Sequence, residues 1–554
     1  MANDAQKTKD AQKAKDAEAR IEAADIKAHA NEAFENARKY HQELDDIYKF
    51  YMPFRKSTSE QAPERGGPSE GQSRTNEVFD GTGLSAAFNF AGTMQADWMP
   101  PFEDFFKLEP GPLIPEGDAK KQLSEELQKI TQVVHGVLPR ARVTAHEMML
   151  DLFAGTGAMN MAAGEDAEPV RARAVPPSEL ALEEGPWGDI WHIWWRRNRK
   201  FRDLEELWPK GKFSDTLWRA MKEDRSAARR SVTSVTQYTY YDPKEKLWKL
   251  RVWSSHDAPE AFIWEEPFRT SRWVIPRFFK VPGETFGRGL AHLGLPFVKT
   301  ANKTRELALR AAAFAILGIW MRRNDAVFNP DTAIFKPLAM WTVSSTGGPL
   351  GPTIQRLPVP QDFDVSSIVM QDERDQIRRV LLDDELPSEQ DPVRSATEIA
   401  GRLRRYARNR GGTGSRIALE LVTPIVRHTV EILEKTGKLP TNISIDQLLT
   451  QVTVTAPAAA AQRADKVDRA VSWIQMIVML FGPQAAMLAA KVEELLPAMG
   501  RWLGVDETHI RSKAEAAQLQ ELMQQMVAAQ ANAEAQASTP PPDPGQQLVN
   551  GGAV

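Results

Sequence analysis

Cysteine is absent from all 554 residues. That absence removes disulfides, zinc–thiolate sites and a thiol nucleophile together. Histidine is sparse: nine residues, scattered, none forming a ligand pair on a helix with a suitable acid. The pair His146-Glu147 has Leu150 where a zinc protease needs its second histidine. No metal, cofactor or catalytic set is therefore expected, and the chain is not expected to be an enzyme. An apolar N-terminal run is also missing, so no signal peptide is expected. Only residues 470–490 are uncharged over a length that could cross a bilayer. Gly482-Pro483, Gln475 and Gln484 interrupt them, and two buried helices joined at Gly482-Pro483 are the favoured reading. Positive charge is not in excess: 70 Lys and Arg against 74 Asp and Glu leave a formal charge of -4. A globally basic nucleic-acid coat is excluded.

What is present is apolar material: 42% of the chain, with 15 Trp and 23 Phe. A chain of this length and composition holds more than one structural unit and a sizeable core. Residues 1–50 have an alanine-rich, charged helical pattern in which AQKTKD is nearly repeated as AQKAKD. Ile26, Ala30, Ala33, Phe34, Ala37 and Tyr40 form its apolar stripe, so the packed helix should begin near Arg20. Residues 55–76 are rich in Gly, Pro and Ser and read as an exposed loop. A helix is expected over 84–98, stopped by Pro100-Pro101, then a strand over 105–108. Helices over 123–137 and 143–153 follow. Gly155-Thr156-Gly157 ends the second and is no phosphate loop, because no GxxxxGK follows.

From 168 to 280 the pattern turns to strands, at 190–195, 235–241, 247–253 and 273–280, with helices at 201–208 and 213–230. Leu247, Lys249, Arg251 and Trp253 alternate with Trp248, Leu250 and Val252, as in a half-buried antiparallel strand. The tryptophans here suit a plain core, the favoured reading, or a platform for bases or sugars. Gly287-Arg288-Gly289 has His292 where a dinucleotide loop needs glycine, so it reads as a turn. The helix expected after Pro296 puts Lys299, Lys303, Glu306 and Arg310 on one face. Ala301, Ala308, Ala312 and Ala315 fall on another, a stripe that admits close helix packing, within the chain or between copies. Pro and Gly crowd residues 322–364, which read as a strand-and-turn insertion. Helix returns over 366–386, with Ile377, Val380 and Leu381 inward and Asp372, Asp375, Arg379 and Asp383 outward. The outcome is a helical hairpin with a knob at its tip.

The stretch 391–437 is the most informative. Ile399, Leu403, Tyr406 and Ala407 share one helix face, and Ile417, Leu421, Val422, Ile425, Val426 and Leu433 continue the pattern. Gly411-Gly412-Thr413-Gly414 and Pro424 should bend it. The expectation is one articulated helix, about 60 Å long at about 1.5 Å per residue. Arg394, Arg402, Arg404, Arg405, Arg408, Arg410 and Arg416 stand there against one acid, Glu398. Either they brace a neighbouring chain or they face a polyanion. After residue 437 come a short strand, Val452-Thr453-Val454, and helices over 458–496 and 514–537. Leu519, Leu522 and Met526 form a narrow seam suited to self-bundling. The Pro/Gly-rich tail from Ser538 is expected to be disordered.

Ser395-Ala396-Thr397-Glu398-Ile399, the glycine break, Glu420-Leu421-Val422-Thr423-Pro424, Ile432-Leu433 and Gly437-Lys438-Leu439-Pro440 together resemble the head-to-tail connector (portal) proteins of short-tailed, podovirus-type bacteriophages. Arg74, Phe79-Asp80, residues 86–92, Pro100-Pro101 and Phe286-Gly287-Arg288-Gly289 extend the resemblance over roughly residues 70 to 440. Phe105-Phe106 departs mildly from the Trp-Phe of many relatives.

The resemblance implies an α+β, predominantly helical fold. An N-terminal helical segment (1–54) precedes a wing (55–285), a stem helix (286–321), a clip (322–364) and a returning stem helix (365–386). A channel loop (387–394), a long kinked helix (395–457), a C-terminal helical crown or barrel (458–537) and the tail (538–554) follow. It implies a portal: a dodecameric ring at one capsid vertex, assembled in the host cytoplasm, through which double-stranded DNA is packaged and ejected. Implied partners are further copies, the DNA, major capsid and scaffold proteins, the terminase large subunit, and tail adaptor or nozzle proteins. Pro387, Ser388, Glu389, Gln390, Asp391 and Arg394 would lie nearest DNA. Arg402, Arg404, Arg405, Arg408 and Arg410 would touch phosphate or brace the next subunit, and Ala301, Ala308, Ala312 and Ala315 would pack the stem. The alternatives are a membrane-associated scaffold using 470–490 and a non-enzymatic nucleic-acid-binding protein.

Overall fold

The computed structural model describes residues 2–55, 75–111, 113–114, 118–222, 232–255, 262–317, 320–322, 354–356, 363–382, 414–439, 450–482, 495–496, 498–500 and 526. The order begins with α1 (Ala2–Tyr51), α2 (Thr82–Trp98), β1 (Phe106–Pro110), α3 (Asp118–Gly136) and α4 (Pro139–Phe153). Strands β2 (Met159–Glu165), β3 (Glu168–Ala174), β4 (Leu180–Glu184) and β5 (Ile190–Lys200) follow. Next come α5 (Phe201–Leu207), α6 (Asp215–Lys222), β6 (Val232–Asp242), β7 (Leu247–Ser254), β8 (Trp264–Phe268) and β9 (Trp273–Val274). The chain then runs through α7 (Leu290–Leu317), β10 (Trp320–Arg322), β11 (Ile354–Arg356) and α8 (Phe363–Val380). A π turn (Ala418–Val422) leads into α9 (Thr423–Lys435), and β12 (Thr450–Val454) and α10 (Pro457–Phe481) complete the described elements.

Two compact units result: residues 1–105 with 132–443, and residues 106–131 with 444–554. The first holds an antiparallel sheet in the order β4-β5-β6-β7-β8 and a smaller one in the order β3-β2-β9. The large sheet carries a ladder of rings: Trp194 stacks on Tyr238 at 4.9 Å between centres, and Tyr238 on Tyr240 at 4.7 Å. Helix α1 lies on this ladder because it is alanine-rich. Ala23, Ala30, Ala37, Leu44 and Tyr51 recur every seven residues and are all buried, and Ala30, Ala33 and Ala37 pack into the ladder's core cluster. A residue with no side-chain bulk beyond Cβ lets the helix backbone approach the rings. Trp194, Trp195, Trp253 and Trp273 are buried, so these four tryptophans are core and not a ligand platform.

The second unit pairs β1 with β12, from Phe106 opposite Val454 to Pro110 opposite Thr450. Helix α10 ends at Gly482, whose φ of 84° is the left-handed conformation glycine adopts without a Cβ clash. Among the described residues no helix is long and apolar enough to cross a membrane.

Several expectations change in detail. The stem helix starts at Leu290, so Pro296 lies inside it. Leu290, Ala291, Val298 and Ala301 are buried in one stripe across the proline, and that packing overrides the local signal. The strand expected over 273–280 is two residues long. Pro276 has no donor to offer, and Arg277 gives its N–H to Glu420 at 2.9 Å instead of to a strand. The returning helix stops at Val380, and Leu382 takes a φ of 55°. The bend at Pro424 is a widened turn: the π turn places the ring without the clash it meets in an α-helix. Thr423 Oγ1 donates to Ala418 O across that turn at 3.3 Å.

Candidate functional site

The chain's two long-helix systems are tied to the first unit's sheets at one junction. It is built from two glycine turns. Gly155 follows α4, and Gly287 and Gly289 precede α7. A Cβ on Gly155 would lie 2.3 Å from Gly287 O, one on Gly287 would lie 2.4 Å from Gly155 O, and one on Gly289 would lie 2.2 Å from Phe153 O. The backbones touch where a side chain would stand, so only glycine fits. Thr156 Oγ1 accepts the Gly287 N–H at 2.8 Å, and Phe278 N–H donates to Gly155 O at 2.8 Å. The first residue of α7 comes straight out of this lock.

Arg277 fills the space beside it, only 3% exposed. Its Nη1 donates to Glu184 Oε1 at 2.6 Å, on β4. Its Nη2 donates to Glu420 Oε1 at 2.7 Å and to Gly188 O at 3.1 Å, and Nε to Glu420 Oε2 at 3.3 Å. Lys280 adds a second cation on Glu184 at 2.5 Å, and Arg416 one on Glu420 at 3.1 Å. One guanidinium thus fixes the end of β4 and the π turn to the turn that starts the stem. A buried charge this well paired is costly to break, about 3–5 kcal/mol for losing one partner.

Further along the same helix Glu431 plays the matching part. Its Oε1 accepts Arg269 N–H and its Oε2 accepts Thr270 N–H, both at 2.8 Å. His428 Nδ1 sits 3.0 Å from Thr270 Oγ1. Burial holds the His428 imidazole far below its ordinary pKa. Burial alone would raise Glu431, yet the bonds from Thr270, Arg269 and Lys435 outweigh it and keep the carboxylate ionised.

Both helices of the hairpin are tied to the start of α2 at Asp80. Burial raises its pKa, but bonds from Thr82 and Arg374 win and leave it below the ordinary carboxylate value. Arg374 of α8 reaches it at 2.8 and 3.0 Å. Asn302 of α7 accepts from Phe79 N at 2.7 Å and Asp80 N at 3.2 Å, and donates to Glu77 O at 3.0 Å. So α7 and α8 both hold the start of α2. Between the two stem helices β10 and β11 pair, Trp320 opposite Arg356, at the base of the insertion.

A family model described as bacteriophage head to tail connecting protein matches residues 23–510. The chain belongs to that family. The connector is a phage portal, a virion component that joins head and tail. A search of curated proteins finds no match.

The connector's candidate residues fare differently. Ala301 is buried and Ala308 and Ala312 are half-buried, while the side chain of Ala315 lies outside the described residues. Lys303 and Arg310 both pair with Glu306, and Lys299 with Asp46, so the charged face of α7 is a run of ion pairs. Pro387, Ser388, Glu389, Gln390, Asp391 and Arg394 lie outside the described residues, as do Arg402, Arg404, Arg405, Arg408 and Arg410. Sequence reasoning did not find Arg277, Glu420, Glu431, Asn302 or Arg374 as ties. Pro276 before Arg277 was the available signal, since it forbids a regular strand there. Among the described residues no three His, Asp or Glu side chains group as a metal site. An open cleft of about 540 Å³ under α1 is crossed by the pairs Arg251–Glu22 and Lys249–Asp242 and has no catalytic arrangement.

Proposed function

We propose that the connector assembles as a ring of identical subunits, a dodecamer, at one vertex of a podovirus-type capsid. Double-stranded DNA passes through its hole during packaging and ejection. The terminase large subunit and later the tail adaptor or nozzle proteins dock on the knob of the helical hairpin, and capsid and scaffold proteins contact the wing. The protein has no catalytic role of its own. The observation that carries this reading is the helix–insertion–helix hairpin of α7, β10, β11 and α8 in a chain of the connector family.

The physics of a conduit shapes the rest. Duplex DNA carries one charge per about 1.7 Å, and each neutralised phosphate adds salt-sensitive affinity. A sliding surface therefore needs few unpaired cations, and the paired lysines and arginines of α7 suit it. Most of Arg402, Arg404, Arg405, Arg408 and Arg410 brace the neighbouring subunit, because a continuous arginine ring would act as a brake. Pro387, Ser388, Glu389, Gln390, Asp391 and Arg394 form the loop nearest DNA. Reversal of Arg394, Arg404 or Arg408 to Glu, one at a time, tests both assignments. Bracing residues lose ring assembly, whereas DNA-facing ones leave rings intact and impair packaging. Native mass spectrometry of the purified chain reads the copy number, and a monomer at every concentration and with scaffold present would sink the ring.

A further inference from the structure

Strand β5 changes character along its length. Ile193, Trp194 and Trp195 are buried, whereas Arg196, Arg197, Arg199 and Lys200 make its second half basic. Alternation divides these residues between two faces. Arg196 belongs to the α1 side: its guanidinium lies 4.1 Å from the Phe34 ring centre and donates to Asn31 at 2.7 Å. Arg197 and Arg199 continue the opposite row, that of Trp195. Their partners on β6 are Val235 and Thr233, without charge, and pairing with β4 stops at Trp195.

Arg173 of β3 joins them. Repulsion from Arg197 acts on both Arg173 and Arg199, after burial, and burial with that repulsion lowers Arg199 to about 10. The acids facing the group are Glu179, Glu147 and Asp203. Glu179 is 4.0 Å from Arg197 and already accepts Trp195 Nε1 at 2.8 Å. Asp203 sits in the first turn of α5, where the helix N-terminus attracts it. Among the described residues neither Arg173 nor Arg199 has a carboxylate within ion-pair distance. Arg199 is held over the Trp195 ring at 5.4 Å, so its fork is oriented in advance. Arg171, two residues before Arg173, differs: it is paired with Glu165 at 3.0 Å.

We infer that Arg173, Arg197 and Arg199 form a site for phosphodiester oxygens of a DNA backbone. Of the three guanidinium groups only Arg197 has a carboxylate within ion-pair distance among the described residues; an oxyanion that several can share relieves the other two, and their forks match phosphate oxygens. The ring beneath them, Trp195, is buried, so no base can stack there and only the backbone is touched. These residues belong to the wing segment and not to the stem or the 387–394 loop, so the DNA they hold is not the sliding duplex; that it is the phage genome rests on the portal reading, while the anion site does not. The competing occupant is an acidic segment of a neighbouring subunit.

The test uses the full-length protein in its assembled state and a short DNA duplex, with binding followed by fluorescence anisotropy across a salt series. In R197Q/R199Q the slope of log K against log salt falls by about 0.9 for each phosphate no longer neutralised, nearly two in all. Rings remain intact in negative stain, and R171Q leaves the slope unchanged. An unchanged slope in the double variant overturns the inference, as does wild-type protein that fails to bind the duplex at low salt. Loss of rings in the double variant also overturns it and assigns the arginines to a subunit interface. Absence of rings in the wild type bears on the portal reading and is seen separately.

Discussion

Arg277 and Glu420, 143 residues apart, share a two-pronged contact: Nη2 on Oε1 at 2.7 Å and Nε on Oε2 at 3.3 Å. Glu420 lies in the π turn, and Arg277 lies in the turn before the stem helix. The pair is therefore the point at which the kinked helix and the stem are held to a common frame. Replacing Arg277 with Ala leaves Glu420 and Glu184 without their main buried cation and should cost about 3–5 kcal/mol. Arg277→Lys should recover little of it, since one ammonium cannot span both carboxylates and Gly188 O. Urea unfolding of each variant, and of Glu420→Gln, measures this. Independent, additive losses in the double variant would argue against a shared contact.

The glycine lock gives a sharper contrast. Gly155→Ala places a methyl group 2.3 Å from a carbonyl oxygen at a φ of 124°, and Gly289→Ala meets Phe153 O at 2.2 Å. Both should unfold well below the wild-type temperature or fail to fold. Gly92→Ala, in α2 with nothing within 4 Å of the new Cβ, should instead stabilise by about 0.5–1 kcal/mol. Thermal unfolding of the three variants checks the pattern. A tolerated Gly155→Ala would mean that the two turns do not interlock.

Acid should loosen the same region. Burial, reinforced by Arg288, lowers His292 to about 4, and burial lowers His428 as well. In the unfolded chain both return to about 6.5. The unfolded state then binds more protons, so this stability is complete above pH 6.5 and is lost progressively as pH falls towards the folded values. Asp151 works the other way. Burial raises it from 3.8 to about 6, so between those values the native state keeps a proton that the unfolded chain releases. Burial lowers His41 and His192 too, so four histidines against one carboxyl predict a net fall in unfolding temperature from pH 7 to pH 5. Melting curves across that range test it: His428→Gln should flatten the dependence and Asp151→Asn should steepen it. A flat wild-type profile would contradict the account.

The tie at Asp80 should be local. Arg374→Ala removes the guanidinium from Asp80, leaving Asn302 to hold the turn by its amide. Hydrogen exchange should speed up in the first turn of α2 and along α8, with little change at the Arg277 junction. A uniform increase across the first unit would show that the hairpin is not separately anchored.

Much of this is legible in the sequence. Ile417, Leu421, Val422, Ile425, Val426 and Leu433 are all buried, as their spacing requires, because a helix packed on one side must repeat its apolar residues every three to four positions. Strands β6 and β7 announce themselves by alternation and aromatic content. β2 and β4 do not stand out as separate strands: Met159–Glu165 is rich in small residues, and Leu180–Glu184 is short. The junction is illegible for a different reason. Arg277, Glu184 and Glu420 are ordinary charged residues in one sequence, and only folding across long separations brings them together. Their neighbours Gly287 and Gly289 read as a turn, but the second turn they clasp is not visible from spacing.

The ring is the central claim, and imaging tests it most directly. Negative-stain micrographs of the purified full-length protein, with class averages viewed along the particle axis, should show closed rings with a central hole and about twelve lobes, the copy number proposed from the resemblance. Rings without a central hole, or monomers that persist when scaffold protein is added, would contradict it.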